Sequence, residues 1–206
     1  KGGDTTLQTI RIREIFDDFE ADYFVVDARN SGSQIVINLG KVLFDEERQI
    51  DYSPMKAMNN DTYSGVVADP NAKECIYTIN ATQQLNSDMA YAFRRNLQEG
   101  RINFLVTPTV AKDEILLSNK DYTNELDVDK QFAYEKPFYE TQALISETAE
   151  LLYEKNPQTG TIKVHEKGAN TKDRYVAAAM GSYFIDQLEM DLVSNSSDYE
   201  YTTLIN

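Results

Sequence analysis

Four consecutive apolar residues, Tyr23-Phe24-Val25-Val26, end on Asp27 and run into the polar turn Ala28-Arg29-Asn30-Ser31-Gly32. An unbroken run of aromatic and β-branched side chains suits a strand buried on both faces; alternation would mark a strand with one wet face. Such a strand needs cover on both sides, which restricts the chain to layered α/β folds. The flanks agree. Asp4 to Glu20 reads as a helix capped by Asp4 or Thr5, with Leu7, Ile10, Ile15 and Phe19 as its apolar stripe. A second helix is expected from about Ser33 to Phe44. The predicted sheet is mixed, with Tyr23–Val26 at its centre and helices on both sides.

Further along, Tyr52 to Met58 and Cys75 to Ile79 are strand candidates, and Ala81 to Gln98 reads as a long helix stopped by Gly100. Ile102 to Val106 reads as another strand, broken by Pro108. The pattern from Thr109 to Asp129 fits helical turns or loops equally. Pro137 to Tyr153 reads as a helix, although Leu151 to Glu154 and Thr161 to His165 can instead flank the turn Asn156–Gly160 as a hairpin. Asp173 opens the last helix, with Tyr175, Val176, Ala179, Phe184 and Leu188 apolar, and a loosely held tail is expected after Val193. The whole of residues 1–206 is read as one domain, without repeats or a linker.

Composition narrows the chemistry. With 41% hydrophobic residues the chain can build a core, and it has neither a signal-peptide pattern nor a membrane-spanning run. Cys75 is the only cysteine, so no internal disulfide forms, and its apolar surroundings read as core. His165 is the only histidine, which disfavours zinc sites and histidine-based hydrolases. A net charge of −14 argues against gripping DNA by phosphate neutralisation alone. It is neutral toward nuclease chemistry, because bound divalent cations bring their own positive charge. Arg94, Arg95, Arg101 and Lys112 form a modest basic grouping, read first as a solvated face.

Two acids stand out. Asp27 follows a buried strand, at the end where open α/β sheets present function. It can equally bond the amides of its own turn or cap the next helix. Asp173 opens a helix, where the helix dipole alone accounts for a carboxylate. If the two meet, their hard oxygens suit magnesium or manganese, and two such ions about 3.5–4 Å apart can activate water and stabilise a leaving phosphodiester oxygen.

The segment Asp22–Gly32, a hydrophobic strand ending in an acid and followed by Asn and Gly, resembles the second acidic motif of phage terminase large subunits. Gly2-Gly3-Asp4-Thr5-Thr6-Leu7-Gln8 with Arg11-Ile12-Arg13 is similar to the preceding helix in one branch of that family. Lys172-Asp173-Arg174-Tyr175, before an alanine-rich helix, is similar to the third acidic motif. The resemblance implies the C-terminal nuclease domain, of ribonuclease H-like fold, cutting concatemeric double-stranded DNA. It implies Asp27 and Asp173 as catalytic metal ligands for Mg2+ or Mn2+, with Asn30 and Lys172 in supporting roles. The implied partners are the terminase ATPase domain, the small subunit and the portal, at the packaging motor in the cytoplasm of an infected bacterium. The family's first acid lies on an upstream strand for which nothing here reads as a match, and no phosphate-cradling Gly-rich loop is present. The expectation is therefore part of a longer protein with an incomplete site. A docking module that no longer cuts, and another ribonuclease H-like enzyme such as a resolvase or integrase, are the alternatives.

Overall fold

The computed structural model describes residues 4–168 and 171–203, with side chains through 192. The chain divides into two compact units, one running to Leu85 and resuming at Phe184, the other Asn86–Tyr183. No described helix is long and apolar enough to cross a membrane.

The first unit opens with α1, Thr5–Asp18, whose start is capped as expected: Thr6 donates its amide to Oδ1 of Asp4 at 2.8 Å. The apolar stripe is not the expected one. Leu7, Ile15 and Phe19 are exposed, while Thr9, Arg13 and Phe16 are buried and Ile12 packs on the core. Positions 9, 12, 13 and 16 have the i, i+3, i+4, i+7 spacing of one helix face; the expected set does not. Arg13 is accommodated there because its guanidinium lies 5.6 Å from the Phe16 ring centre and 5.1 Å from that of Tyr52.

Strand β1, Phe24–Asp27, and helix α2, Ser31–Leu39, follow. The helix is shorter than expected, because Leu43 turns into a hairpin of β2, Leu43–Asp45, and β3, Ile50–Tyr52. Asp45 holds that turn: it accepts the amides of Glu47 at 2.9 Å and Arg48 at 3.0 Å and the Tyr52 hydroxyl at 3.1 Å. The strand expected over Tyr52–Met58 is thus divided between β3 and β4, Met55–Ala57, around Pro54. Helix α3, Asp61–Ser64, leads to β5, Lys73–Ile79.

The main sheet has the order β1-β5-β4 and is parallel throughout; the antiparallel pairs are separate hairpins. This corrects the expectation of a mixed sheet centred on Tyr23–Val26. Among the described strands the longer β5 is central and β1 is an edge. A continuous apolar run signals cover on both faces and says nothing about pairing at the two edges. The cover is there. Phe24, Val26 and Ala28 join Phe16, Val36, Leu39, Met55, Cys75 and Ile76 in a core beneath α1 and α2. Full burial of a side chain such as Leu39 or Ile76 is worth roughly 1.5–3 kcal/mol. On the other side, Phe184 packs on Tyr23 at 5.3 Å and on Tyr77 at 4.8 Å between ring centres. The sheet is therefore flanked by helices, as an α/β fold requires.

In the second unit, α4, Gln83–Gln98, stops near Gly100 as expected, where φ is +68°. The strand expected over Ile102–Val106 does not form; no described sheet edge pairs with it, and Phe104, Leu105 and Val106 are exposed. Short helical turns follow: α5, Pro108–Val110, a π-turn at Ala111–Ile115, a 3-10 turn at Leu116–Ser118 and α6, Lys120–Asn124. Helix α7, Val128–Ala149, starts earlier and ends earlier than expected, capped by Asp127 and continuing through Pro137. The hairpin alternative is the one realised, as β6, Leu152–Lys155, and β7, Ile162–His165. Buried Ser87 of α4 receives the Ile162 amide at 2.8 Å and ties the hairpin down. Helix α8, Asp173–Thr203, begins in this unit, where Tyr175 packs edge-on against Phe93 with ring centres 5.5 Å apart. Its backbone is helical across most of the expected loose tail, whose side chains from 193 onward and last three residues lie outside the described residues.

Candidate functional site

The chain makes a sharp elbow between β1 and α2, and Asp27 stands at its start. Ala28 continues the ladder by donating its amide to the Ile79 carbonyl at 2.9 Å, and its own carbonyl accepts the Tyr63 hydroxyl at 3.3 Å. Asn30 then takes φ +51° and ψ −120°, a backbone conformation uncommon for any residue with a Cβ. Its side chain makes no capping hydrogen bond; the Ser33 hydroxyl donates instead to the Asn30 carbonyl at 2.6 Å. Gly32 closes the elbow. A Cβ at that position would lie 1.8 Å from the Asp27 carbonyl oxygen, so only glycine lets α2 start this close to the strand. The Asn and Gly that follow the acid thus have distinct backbone tasks.

The Asp27 carboxylate is not idle. Arg29 wraps back on it, with Nε 3.0 Å from Oδ1 and Nη2 2.7 Å from Oδ2, and the Arg29 amide donates to Oδ1 at 3.2 Å. The remaining end of the guanidinium, Nη1, donates to the Ala81 carbonyl at 3.0 Å, just past β5. The side-chain hydrogen bond from Arg29 holds the Asp27 carboxyl below the usual carboxylate range, against an opposing effect of partial burial. Of the two readings of Asp27 that need no ligand, bonding to its own turn is realised in the Arg29 amide. The fork of Arg29, which the sequence reading left without a role, was legible only as a cation two residues from an acid.

Asp173 occupies the first turn of α8 and is exposed. No hydrogen bond or ion pair reaches its carboxylate among the described residues, while its neighbours are occupied. Lys172 donates to the Val164 carbonyl at 3.1 Å and pairs with Glu166, which fixes it to the end of the hairpin. Arg174 bonds Glu140 at 2.8 Å, and the amide of Tyr175 donates to Oε1 of Glu147 at 2.8 Å. Glu147, nearly buried on α7, is therefore the acid that satisfies the helix start. Sequence reasoning missed it because a cap supplied from another helix leaves no local pattern. Gly2 and Gly3 of the segment likened to the family's preceding helix lie outside the described residues.

Asp27 belongs to the first unit and Asp173 to the second. Among the described residues no three His, Cys, Asp or Glu side chains converge into a metal-holding group. The donors suit a hard divalent cation in type, yet the arrangement at Asp27 does not offer it: both carboxylate oxygens face the guanidinium of Arg29. Asp4 is occupied as the helix cap expected of it. Asn30 stands in the elbow and Lys172 beside Asp173, each accounted for by local structure. Cys75 is wholly buried, as a core residue should be, and burial pushes its thiol pKa up. Arg94 and Arg95 lie exposed on α4.

Comparison of the chain with protein-family models, with curated proteins and with solved structures found no match.

Proposed function

We propose that the chain is the nuclease portion of a viral DNA-packaging terminase, of ribonuclease H-like fold, which cuts double-stranded DNA with Mg2+ or Mn2+ held by Asp27 and Asp173. The observation that carries the reading is the elbow: an acid at the carboxyl end of a covered parallel strand, followed by a strained Asn and a glycine that nothing larger can replace. Open α/β sheets bind ligands at that end of their strands. Strained backbone persists where the surroundings over-determine it and is concentrated at functional sites. A second support is the outer edge of β1, which pairs with no described strand. The family resemblance calls for a further acid-bearing strand, and this edge is where a parallel sheet of this order can accept one.

On this reading a bound cation would supply the positive charge that brings a phosphodiester and water together. The chain's own residues present the carboxylates, and the ATPase domain, small subunit and portal are partners of the longer protein. The test is plasmid cleavage against manganese concentration at low salt, with EDTA as the control. The expected result is cutting by the chain extended upstream to include the additional strand, weak or no cutting by the present chain, and near-complete loss in Asp27→Asn and in Asp173→Asn. A folded, fully active Asp27→Asn variant overturns the reading. A non-catalytic module docking on portal or motor is the second reading, favoured by the Arg29 fork closed on Asp27 and by the net charge of −14. An inactive extended chain that still binds the portal selects it.

A further inference from the structure

We infer that the first half of α7 is a docking face for a basic amphipathic helix of a partner protein. The inference is independent of the nuclease reading and uses none of its residues. It begins from a helix, Val128–Ala149, in which none of the described residues is buried. Leu126, just before it, is 95% exposed and Val128 75%, while Phe132 and Tyr139 are each about half exposed. Positions 128, 132 and 139 fall at i, i+4 and i+11, on one side of a helix, and the rings of Phe132 and Tyr139 lie 5.8 Å apart. The adjoining side is the one by which α7 is held. There Glu135 accepts the Tyr122 hydroxyl at 2.6 Å, Gln131 donates to the Tyr122 carbonyl at 3.4 Å, and Tyr134 meets the Tyr122 ring edge-on. Single apolar residues on a surface need no explanation; a row of them along one helix marks an interaction site.

Charge selects the occupant. From 113 to 129 the chain carries Asp113, Glu114, Asp121, Glu125, Asp127 and Asp129 against one lysine, Lys120. Glu125 and Asp127 accept local amides and keep their charge. The carboxylates of Asp121 and Asp129 engage no described residue. At the other end of the row Glu140 is held by Arg174 at 2.8 Å, and Lys136 stands nearby. The acidic end therefore fits a helix that lays apolar side chains on the row and brings lysines or arginines to the start of α7. A second copy of this chain would bring its own net charge of −14 to the same place, and phosphate backbones and anionic lipid surfaces are repelled likewise.

The experiment is fluorescence anisotropy of a labelled peptide about 18 residues long, five helical turns, with leucines on one face and lysines on the rest. A second peptide of the same composition has its leucines spread around the helix, and a third has glutamates in place of lysines. The full chain is titrated as wild type, Val128→Ser, Phe132→Ser and the double variant Asp121→Asn, Asp129→Asn. Val66→Ser and Asp51→Asn, exposed positions in the other unit, serve as controls. Melting curves establish that each variant is folded. Docking predicts that the amphipathic peptide binds about tenfold more tightly than its dispersed twin, and that Val128→Ser and Phe132→Ser each weaken it about fivefold. The double Asn variant loses a similar factor, and that loss shrinks as salt rises. The controls leave affinity unchanged. If Phe132→Ser fails to fold, Val128→Ser decides. Equal binding of the dispersed twin, or equal losses in the controls, overturns docking in favour of diffuse attraction between cations and an acidic chain. Tighter binding of the glutamate peptide overturns it as well. So does dimerisation in sedimentation that Val128→Ser and Phe132→Ser abolish, which assigns the row to a second copy.

Discussion

The two acids singled out by the sequence are presented by opposite means. At Asp27 the backbone does the work: a strand end, a residue at positive φ and a glycine pressed against a carbonyl force one path on the chain. At Asp173 the side chains do it. Glu147 satisfies an amide of the first turn, Arg174 is held by Glu140, and Lys172 is fastened to the hairpin. The outcome for the acids is reversed as well. Asp27 is clasped by Arg29, and Asp173 has no partner among the described residues while its neighbours are occupied. A motif of rigid backbone thus holds its acid in a closed form, while the helix start assembled from distant side chains engages its acid with none of the described residues.

Substitutions at three positions sharpen or break this contrast. The largest effect is expected from Gly32→Ala. The added Cβ meets the Asp27 carbonyl at 1.8 Å, an overlap relieved only by moving α2 or the strand end, and a loss of about 3 kcal/mol in urea denaturation is expected. A loss below about 1 kcal/mol would mean that the elbow is soft and that backbone constraint is not what presents Asp27. Next, Glu147→Ala strands the Tyr175 amide and removes one partner of Arg174, so a loss of about 2 kcal/mol is expected. Local loosening of the α8 start should show as faster amide exchange at Tyr175. Unaltered exchange would show that α8 is held by packing alone. The smallest effect comes from Asn30, where Gly and Ala should act in opposite directions. Asn30→Gly relieves the positive φ and is expected to hold or raise the melting temperature, whereas Asn30→Ala loses about 1 kcal/mol. Equal stability of the two variants removes strain from the account of the elbow.

Much of the local structure could be read from the residues. Helix α1, the strand ending in Asp27, β5, α4 and its stop near Gly100, the hairpin alternative and the start of α8 all follow local patterns of periodicity, caps and turn residues. What failed was what the chain settles at a distance. Residues 23–26 and 102–106 are both short, largely apolar segments, yet among the described residues one has a partner strand and the other does not, because pairing depends on which edges the rest of the fold leaves available. The stripe of α1 was misplaced because Arg13 is buried by the Phe16 and Tyr52 rings, and a tally of apolar residues does not count it. At the site, Asp27, Asn30 and Gly32 stood in the sequence, and the tasks of Asn and Gly followed once the backbone path was known. Glu147 and the reach of Arg29 to Ala81 depend on separations of 28 and 52 residues, which no local pattern carries.

The unpaired run Ile102–Val106 has a consequence for the chain as a material. Asn103-Phe104-Leu105-Val106 is uncharged, rich in β-forming side chains and exposed over its last three positions. Such a window invites cross-chain stacking when concentration rises. Its two ends act as gatekeepers: Arg101 places a charge before it, and Pro108, two residues beyond, cannot extend a stacked ladder. The same openness exposes Phe104 and Leu105 to a chymotrypsin-like protease, so one five-residue stretch bears on both stacking and proteolysis.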